Sequence, residues 1–196
     1  KKPDTVNRDC KTLCESSGYD EISLCSLSTS DYTGLQNLLN GLFEWTIGDQ
    51  VNVSLPSLRV DNFSPELMEQ IQKVRRSGLT FAPEAGTQRL RDAINKNVTE
   101  DEVMRTVRSA FAGGWTAVKL YFMLGLPTET LDDVAGIARL AQRVVDAYYQ
   151  NPNKPKGKGV QVSISVASFV PKPFTPFQWE PQDTIEMLHQ KQRHLK

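Results

Sequence analysis

The stretch "TAVKLYFMLGLPTETLDDV", residues 116–134, decides how the chain is read. Thr116 to Leu124 is an apolar run of strand length, and it breaks at Gly125. Leu126 to Thr130 then make a tight turn, with Pro127 near a helix start and Glu129 where the helix dipole favours a carboxylate. Beyond it Val134, Ile137, Leu140, Ala141 and Val144 recur at helical spacing. The reading is a buried strand, a short turn and an amphipathic helix.

The same unit recurs along the chain. Further strands are expected in "EISLCSL" from Glu21, "VNVSL" from Val51, "LTFAP" from Leu79 and "VQVSISVASF" from Val160. Between them lie helical faces: Val6, Cys10, Leu13 and Cys14; Leu35, Leu38, Leu39, Leu42 and Phe43; Leu67, Met68, Ile71 and Val74; Val103, Val107, Ala110 and Phe111. Ser64 with Pro65, and Thr99 with Glu102, are start signals, while Gly78 and Gly113 follow helix ends. Strands buried on both faces and joined through helices imply a parallel α/β sheet, open or curled. Because every crossover looks alike, the expectation is a full or partial barrel with outer helices, forming one domain over 1–196. The chain opens on a helix, so the first βα unit is expected to be truncated.

Composition narrows the function classes. Lys plus Arg and Asp plus Glu stand at 23 each, so no overall field favours nucleic acid or an anionic membrane. No apolar stretch approaches a bilayer span, and "KKPDTVNRDCKTLC" lacks the apolar core of a signal peptide. With three cysteines, an odd number, the expectation is a cytoplasmic protein in a reducing compartment. Cys10 and Cys14 have the spacing that opens a C-x3-C-x2-C cluster motif, but Ser17 stands where the third cysteine belongs. They fall on a helical face and Cys25 falls within a strand, so free thiols are expected and no metal ligand is assigned.

In parallel α/β folds the ligand lies at the carboxyl ends of the strands. Those ends carry Ser26, Ser28 and Asp31; Ser57 and Arg59; Glu84, Gly86, Thr87 and Arg89; Gly125, Thr128 and Glu129; and "SFVPKPFTPFQW" from Ser168. Glu84 can accept two hydroxyl hydrogen bonds, or else cap a helix or pair with Arg89 or Arg91. Gly86 and Gly125 permit close backbone approach, and a planar ring could rest between Leu124 and Leu126. Lys119 falls mid-strand, facing an internal carboxylate or the helical layer. The Lys-rich "NPNKPKGKG", 151–159, precedes a strand and reads as a solvated loop on the opposite rim; His189 and His194 fall on a terminal helix, away from the site.

The segments "EISLCSLSTSDY", "SLPSLRVD", "APEAGTQRLRD" and "KLYFMLGLPTET" together resemble the radical S-adenosylmethionine (SAM) superfamily, in its uncharacterised bacterial iron-sulfur oxidoreductase-like branch. The likeness runs from about Gly18 to Phe177. It implies a partial (β/α)6, TIM-like barrel and a radical SAM enzyme in which a [4Fe-4S] cluster on three cysteines reductively cleaves S-adenosylmethionine to a 5'-deoxyadenosyl radical, which abstracts hydrogen from a substrate the sequence does not identify. A reductant protein would serve the full-length enzyme. By the same resemblance Glu84, Gly86 and Thr87 fall at the ribose or methionyl part of the cofactor. Leu124, Gly125 and Glu129 line the adenine, Ser165 and Phe169 lie beside it, and Ser57 and Arg59 meet the methionine carboxylate or substrate. No catalytic residue is assigned. The cluster motif normally follows the first strand and both are missing, so the cluster loop is expected upstream of residue 1 and this stretch alone is expected to be inactive. "SLSTSDY" also replaces the family's glycine-rich turn, leaving Ser28 or Asp31 to take that contact. The alternative is a non-catalytic barrel-like module for a nucleoside-containing ligand or a partner protein.

Overall fold

The apolar spacings read above fold as helices in a computed structural model that describes residues 1–26, 32–54 and 79–196. These fall into two units, 1–80 and 81–196. In the first, α1 (Pro3–Ser17) carries proline at its start, and Gly18 N–H closes its end on Cys14 O at 2.8 Å. Helix α2 (Leu35–Thr46) buries Leu35, Leu38, Leu39, Leu42 and Phe43, packing with Cys10 of α1 and with Ile22 and Val53 of two short strands. Those strands, β1 (Glu21–Ser23) and β2 (Asn52–Ser54), pair in parallel. Trp45 donates to Asn7 Oδ1 at 2.8 Å, tying α2 to α1.

Two expectations are corrected here. Leu13 does not join the buried face of α1: it is 66% exposed, because the stripe runs through Val6, Cys10 and Cys14. Cys25 lies beyond β1, and is exposed. The expected Ser64 cap, the helical face 67–74, and Gly78 lie outside the described residues.

The second unit is built on the order β3-β4-β5, with β3 (Leu79–Glu84), β4 (Ala117–Leu124) and β5 (Gln161–Ser168). Strands β4 and β5 are parallel, in register from Ala117 opposite Gln161 to Leu124 opposite Ser168. Three helices intervene: α3 (Gln88–Ala93), α4 (Glu100–Ala112) and α5 (Leu131–Gln150); α6 (Ile185–Leu195) follows β5. Thr99 and Glu102 form the expected capping box, and Thr130 with Asp133 forms a second one on α5. Helix α5 contacts β4, β5 and α4. Phe111 of α4 meets Tyr148 of α5 edge to face at 5.2 Å, a geometry that adds about 1 kcal/mol to the burial of both rings.

The α/β class and the parallel pairing hold, but the TIM-like barrel does not. Among the described residues the strands form two separate sheets, and neither closes on itself. Burial gives the physical reason. On β4, Val118, Leu120, Phe122 and Leu124 are buried, whereas Lys119 and Tyr121 between them are exposed. Parallel register puts Ser163, Ser165 and Ala167 on the same face as Lys119, Tyr121 and Met123, and Ser163 and Ala167 are also exposed. A barrel strand would be enclosed between inner side chains and outer helices; here β4 is covered on one face only, and β5 buries no side chain on either face. No helix of the described residues is long and apolar enough to cross a membrane.

Candidate functional site

The carboxyl ends of β3, β4 and β5 form one rim. Phe169, just past β5, donates its N–H to Leu124 O at the end of β4 at 2.7 Å. Arg89, past β3, donates to Thr128 O in the turn past β4 at 2.9 Å. Ala85, Leu90, Leu126 and Phe169 bury one another there, with Met123, Ile94 and Phe177 packed around them. Phe177, from the Pro-rich segment after β5, meets Phe169 edge to face at 6.0 Å and covers it.

Glu84 ends β3 with φ +66°, a left-handed backbone that turns the chain sharply off the strand. Its Oε1 accepts from Lys96 Nζ at 3.1 Å, and both side chains are partly exposed. The expected partners, Arg89 and Arg91, do other work. Arg91 is fully buried and donates to Ala85 O at 2.9 Å, bracing the residue after Glu84; Arg89 pairs with Asp133. Thr87 caps α3, accepting from Leu90 N at 3.3 Å, and donates to Asp133 Oδ1. A Cβ on Gly86 would lie 2.3 Å from Ile137 N and 2.4 Å from Asp133 O, so the close approach that this glycine permits is made by α5.

Asp133 is the hub that the sequence reading missed. Almost wholly buried, it accepts from Thr87, Arg89, and the hydroxyl and N–H of Thr130. Burial alone would raise its pKa, but the bonds from Arg89, Thr87 and Thr130 outweigh it and hold the carboxyl well below the ordinary range. The signal was present: Thr130-x-x-Asp133 has the pattern of a capping box, as Thr99-x-x-Glu102 does.

Gly125 ends β4 with φ +81° and donates its N–H to Glu129 Oε2 at 2.8 Å. The Glu129 side chain is buried, and Lys191 of α6 reaches it at 2.8 Å and Asp183 at 2.6 Å. Burial pushes the Glu129 carboxyl up, while the two carboxylates around one ammonium raise Lys191 despite its burial. No sequence signal marked Lys191, one of several long polar residues on α6.

Leu124 is buried on the helix-covered face, whereas Ser165 lies opposite Tyr121 on the other face. On that face Lys119 Nζ stands 4.8 Å from the Tyr121 ring centre. Ser57, Arg59, Ser28 and Asp31 lie outside the described residues. His189 and His194 fall on the terminal helix α6 as expected, but that helix is not away from the strand ends, since its Leu188 lies against Gly125 and its Lys191 reaches Glu129; 151–159 is a largely exposed loop before β5.

The iron-sulfur and metal-binding character that the resemblance carried is corrected for these residues. Cys10 is buried against α2 and Cys14 lies one turn further along α1, whereas Cys25 follows β1. Burial pushes the Cys10 and Cys14 thiols up, away from the thiolate that a cluster requires. Among the described residues no group of three or more His, Cys, Asp or Glu is placed to hold a metal ion. A four-iron cluster does not fit them.

Comparison with known proteins adds three findings. A sequence profile of the radical SAM superfamily matches residues 1–141. The chain is 34% identical over 164 residues to Uncharacterized protein MJ0966 of Methanocaldococcus jannaschii, covering 84% of this chain and 33% of that protein. It therefore spans about a third of that relative's length. Among solved structures, coproporphyrinogen III oxidase (HemN) from Escherichia coli, described as a radical SAM enzyme, aligns over 90% of this chain and 35% of its own, with a TM-score of 0.49 and 14% identity.

Proposed function

The chain belongs to the radical SAM superfamily, and from that premise we propose that the rim of β3, β4 and β5 binds S-adenosylmethionine as part of a larger radical enzyme. The observation that supports this most directly is the pair of opposite charges at the end of β3. Glu84 and Lys96 stand 3.1 Å apart, both partly open to water. An amino-acid zwitterion presents the same two charges, so its ammonium can turn to Glu84 and its carboxylate to Lys96. The methionyl end of the cofactor is such a zwitterion.

The adenosyl end then extends toward β4 and β5. The Gly125 N–H is already taken by Glu129, so the turn offers a backbone edge and carbonyls rather than that donor. Met123, partly buried beside Leu126 and Phe169, supplies apolar surface for a flat ring, and Ser165 a hydroxyl on the same face of the sheet. Thr87 does not touch the ligand in this reading: with Asp133 and Arg89 it fixes the Glu84 loop on α5. The chain's contribution is to hold a charged ligand in one orientation and to exclude water from its reactive end. When bound and reduced by one electron, S-adenosylmethionine supplies a 5'-deoxyadenosyl radical for hydrogen abstraction. That activity, its electron source and its substrate belong to the whole protein.

Two measurements test the reading. Equilibrium dialysis should show S-adenosylmethionine binding that weakens about tenfold in Glu84→Ala and in Lys96→Ala, which is the loss of one charge-assisted contact of about 1.4 kcal/mol. The full-length protein, reduced anaerobically, should release 5'-deoxyadenosine from the cofactor. Binding that ignores both substitutions would remove the ligand from this end of the rim, and full-length protein that releases no deoxyadenosine would refute the enzymatic reading.

A further inference from the structure

Helix α6 is attached in an unusual way. An amphipathic helix ordinarily docks through an apolar stripe. On α6 the one buried residue is Lys191; Leu188 and Leu195 are half-buried, while Ile185 and Met187 are 67% and 45% exposed. The helix packs along α5, and its one buried side chain is a cation that ties it to Glu129, with little apolar burial beside that pair. Local opening is cheapest where few apolar contacts are lost.

The place where it is seated matters. A Cβ built on Gly125 would come within 3.0 Å of Asp183 Oδ2 and 3.4 Å of Leu188 Cδ2. Side chains of α6 and of the residue just before its cap therefore occupy the space against the Gly125 backbone. This is the surface on which the adenosyl group lies in the function proposed above.

We infer that α6 is a detachable strap, latched to the rim by the Lys191–Glu129 ion pair, which covers the β4 end of the rim and must leave it before a nucleoside can lie there. This rests on the ligand reading for the identity of what enters; the latch itself rests on the ion pair. Ligand and strap compete for one surface, so the ligand's apparent affinity falls with the fraction of molecules whose strap is seated. Weakening the seat tightens binding, the reverse of what loss of a ligand contact would do.

The test uses the full-length protein with Lys191→Met, Lys191→Arg and Asp183→Ala. Hydrogen exchange is read over residues 185–195, and binding by dialysis against S-adenosylmethionine. In Lys191→Met the α6 amides should exchange at least about tenfold faster while those of α4 and α5 keep their protection, and Lys191→Arg should stay within about twofold of the parent. Asp183→Ala removes the carboxylate that the strap lays against Gly125 but leaves Lys191 on Glu129 and Glu129 on the Gly125 N–H, so it uncovers that backbone and should bind at least about fivefold more tightly. Unchanged α6 protection in Lys191→Met overturns the latch. A loosened α6 with no gain in affinity in Asp183→Ala overturns the covering role and leaves the ligand site standing. If neither parent nor variants bind S-adenosylmethionine, the ligand reading and the covering role fall together, and exchange alone decides the latch.

Discussion

Gly86 and Gly125 follow neighbouring strands of one sheet, and at both a side chain would meet something; what it would meet differs in kind. Around Gly86 the nearest atoms are backbone: Ile137 N at 2.3 Å, Asp133 O at 2.4 Å and Gly136 C at 2.6 Å. Around Gly125 they are the ends of side chains, Asp183 Oδ2 at 3.0 Å and Leu188 Cδ2 at 3.4 Å. Helix backbone cannot step aside without unmaking its own hydrogen bonds, whereas a carboxylate tip can rotate. The turn after β3 is thus built into the fold, and the turn after β4 is only covered by it.

The contrast breaks most readily at Gly86. Gly86→Val should destabilise the second unit by about 3 kcal/mol or more, the upper range for overpacking against atoms that cannot relax. Gly136 makes the reciprocal contact, its added Cβ lying 2.7 Å from Thr87 Cγ2 and 2.9 Å from Gly86 C, so Gly136→Val should behave alike. Urea unfolding measures both. Losses below about 1 kcal/mol would mean that α5 does not rest directly on the β3 turn, and the distinction between the two turns would disappear.

A smaller effect is expected where Asp133 stitches the same contact. Asp133→Asn keeps the volume and loses the charge that Arg89 meets, and about half of the Arg89 side chain stays in water, so the cost should be about 2 kcal/mol. The pH dependence has a definite sign. Because the folded carboxyl lies below its ordinary value of 3.8, its contribution is in full force above that pH and fades as the pH falls through and beneath it. Acid titration of the parent should therefore show a loss of stability below about pH 4 that is shallower in Asp133→Asn. Equal slopes would assign the acid sensitivity elsewhere and leave Gly86 alone to explain the rigid turn.

What was legible in the sequence divides along the same line. Periodicity identified α2, α4 and α5 and their buried residues, because an amphipathic helix carries its own burial pattern. The strand at 117–124 and the turn at Gly125 were legible for the same local reason. Closure of the sheet was not, since the apolar run in β4 hides a period of two: Lys119 and Tyr121 alternate with Val118, Leu120 and Phe122, and that alternation marks a sheet covered on one side. The rim residues Glu84 and Gly125 could be named from their place after strands, but their partners could not. Lys96 reaches Glu84 from 12 positions away in the chain, and Lys191 reaches Glu129, the acceptor of the Gly125 N–H, from 62; nothing in a lysine's local sequence announces a distant carboxylate.

The least costly substitution is the one that sharpens the comparison most. Gly125→Ala pays for a left-handed backbone at φ +81°, about 1 kcal/mol, and pushes a methyl group toward the Asp183 carboxylate. If that neighbour yields as a side-chain tip should, the double variant Gly125→Ala with Asp183→Ala will show little recovery beyond the sum of the single changes, less than about 0.5 kcal/mol of coupling. Coupling well above that in urea unfolding would show the Asp183 contact to be as rigid as the backbone wall at Gly86. The cover on β4 would then be as permanent as the packing on β3, because a side chain that cannot turn aside holds its turn as firmly as a helix does.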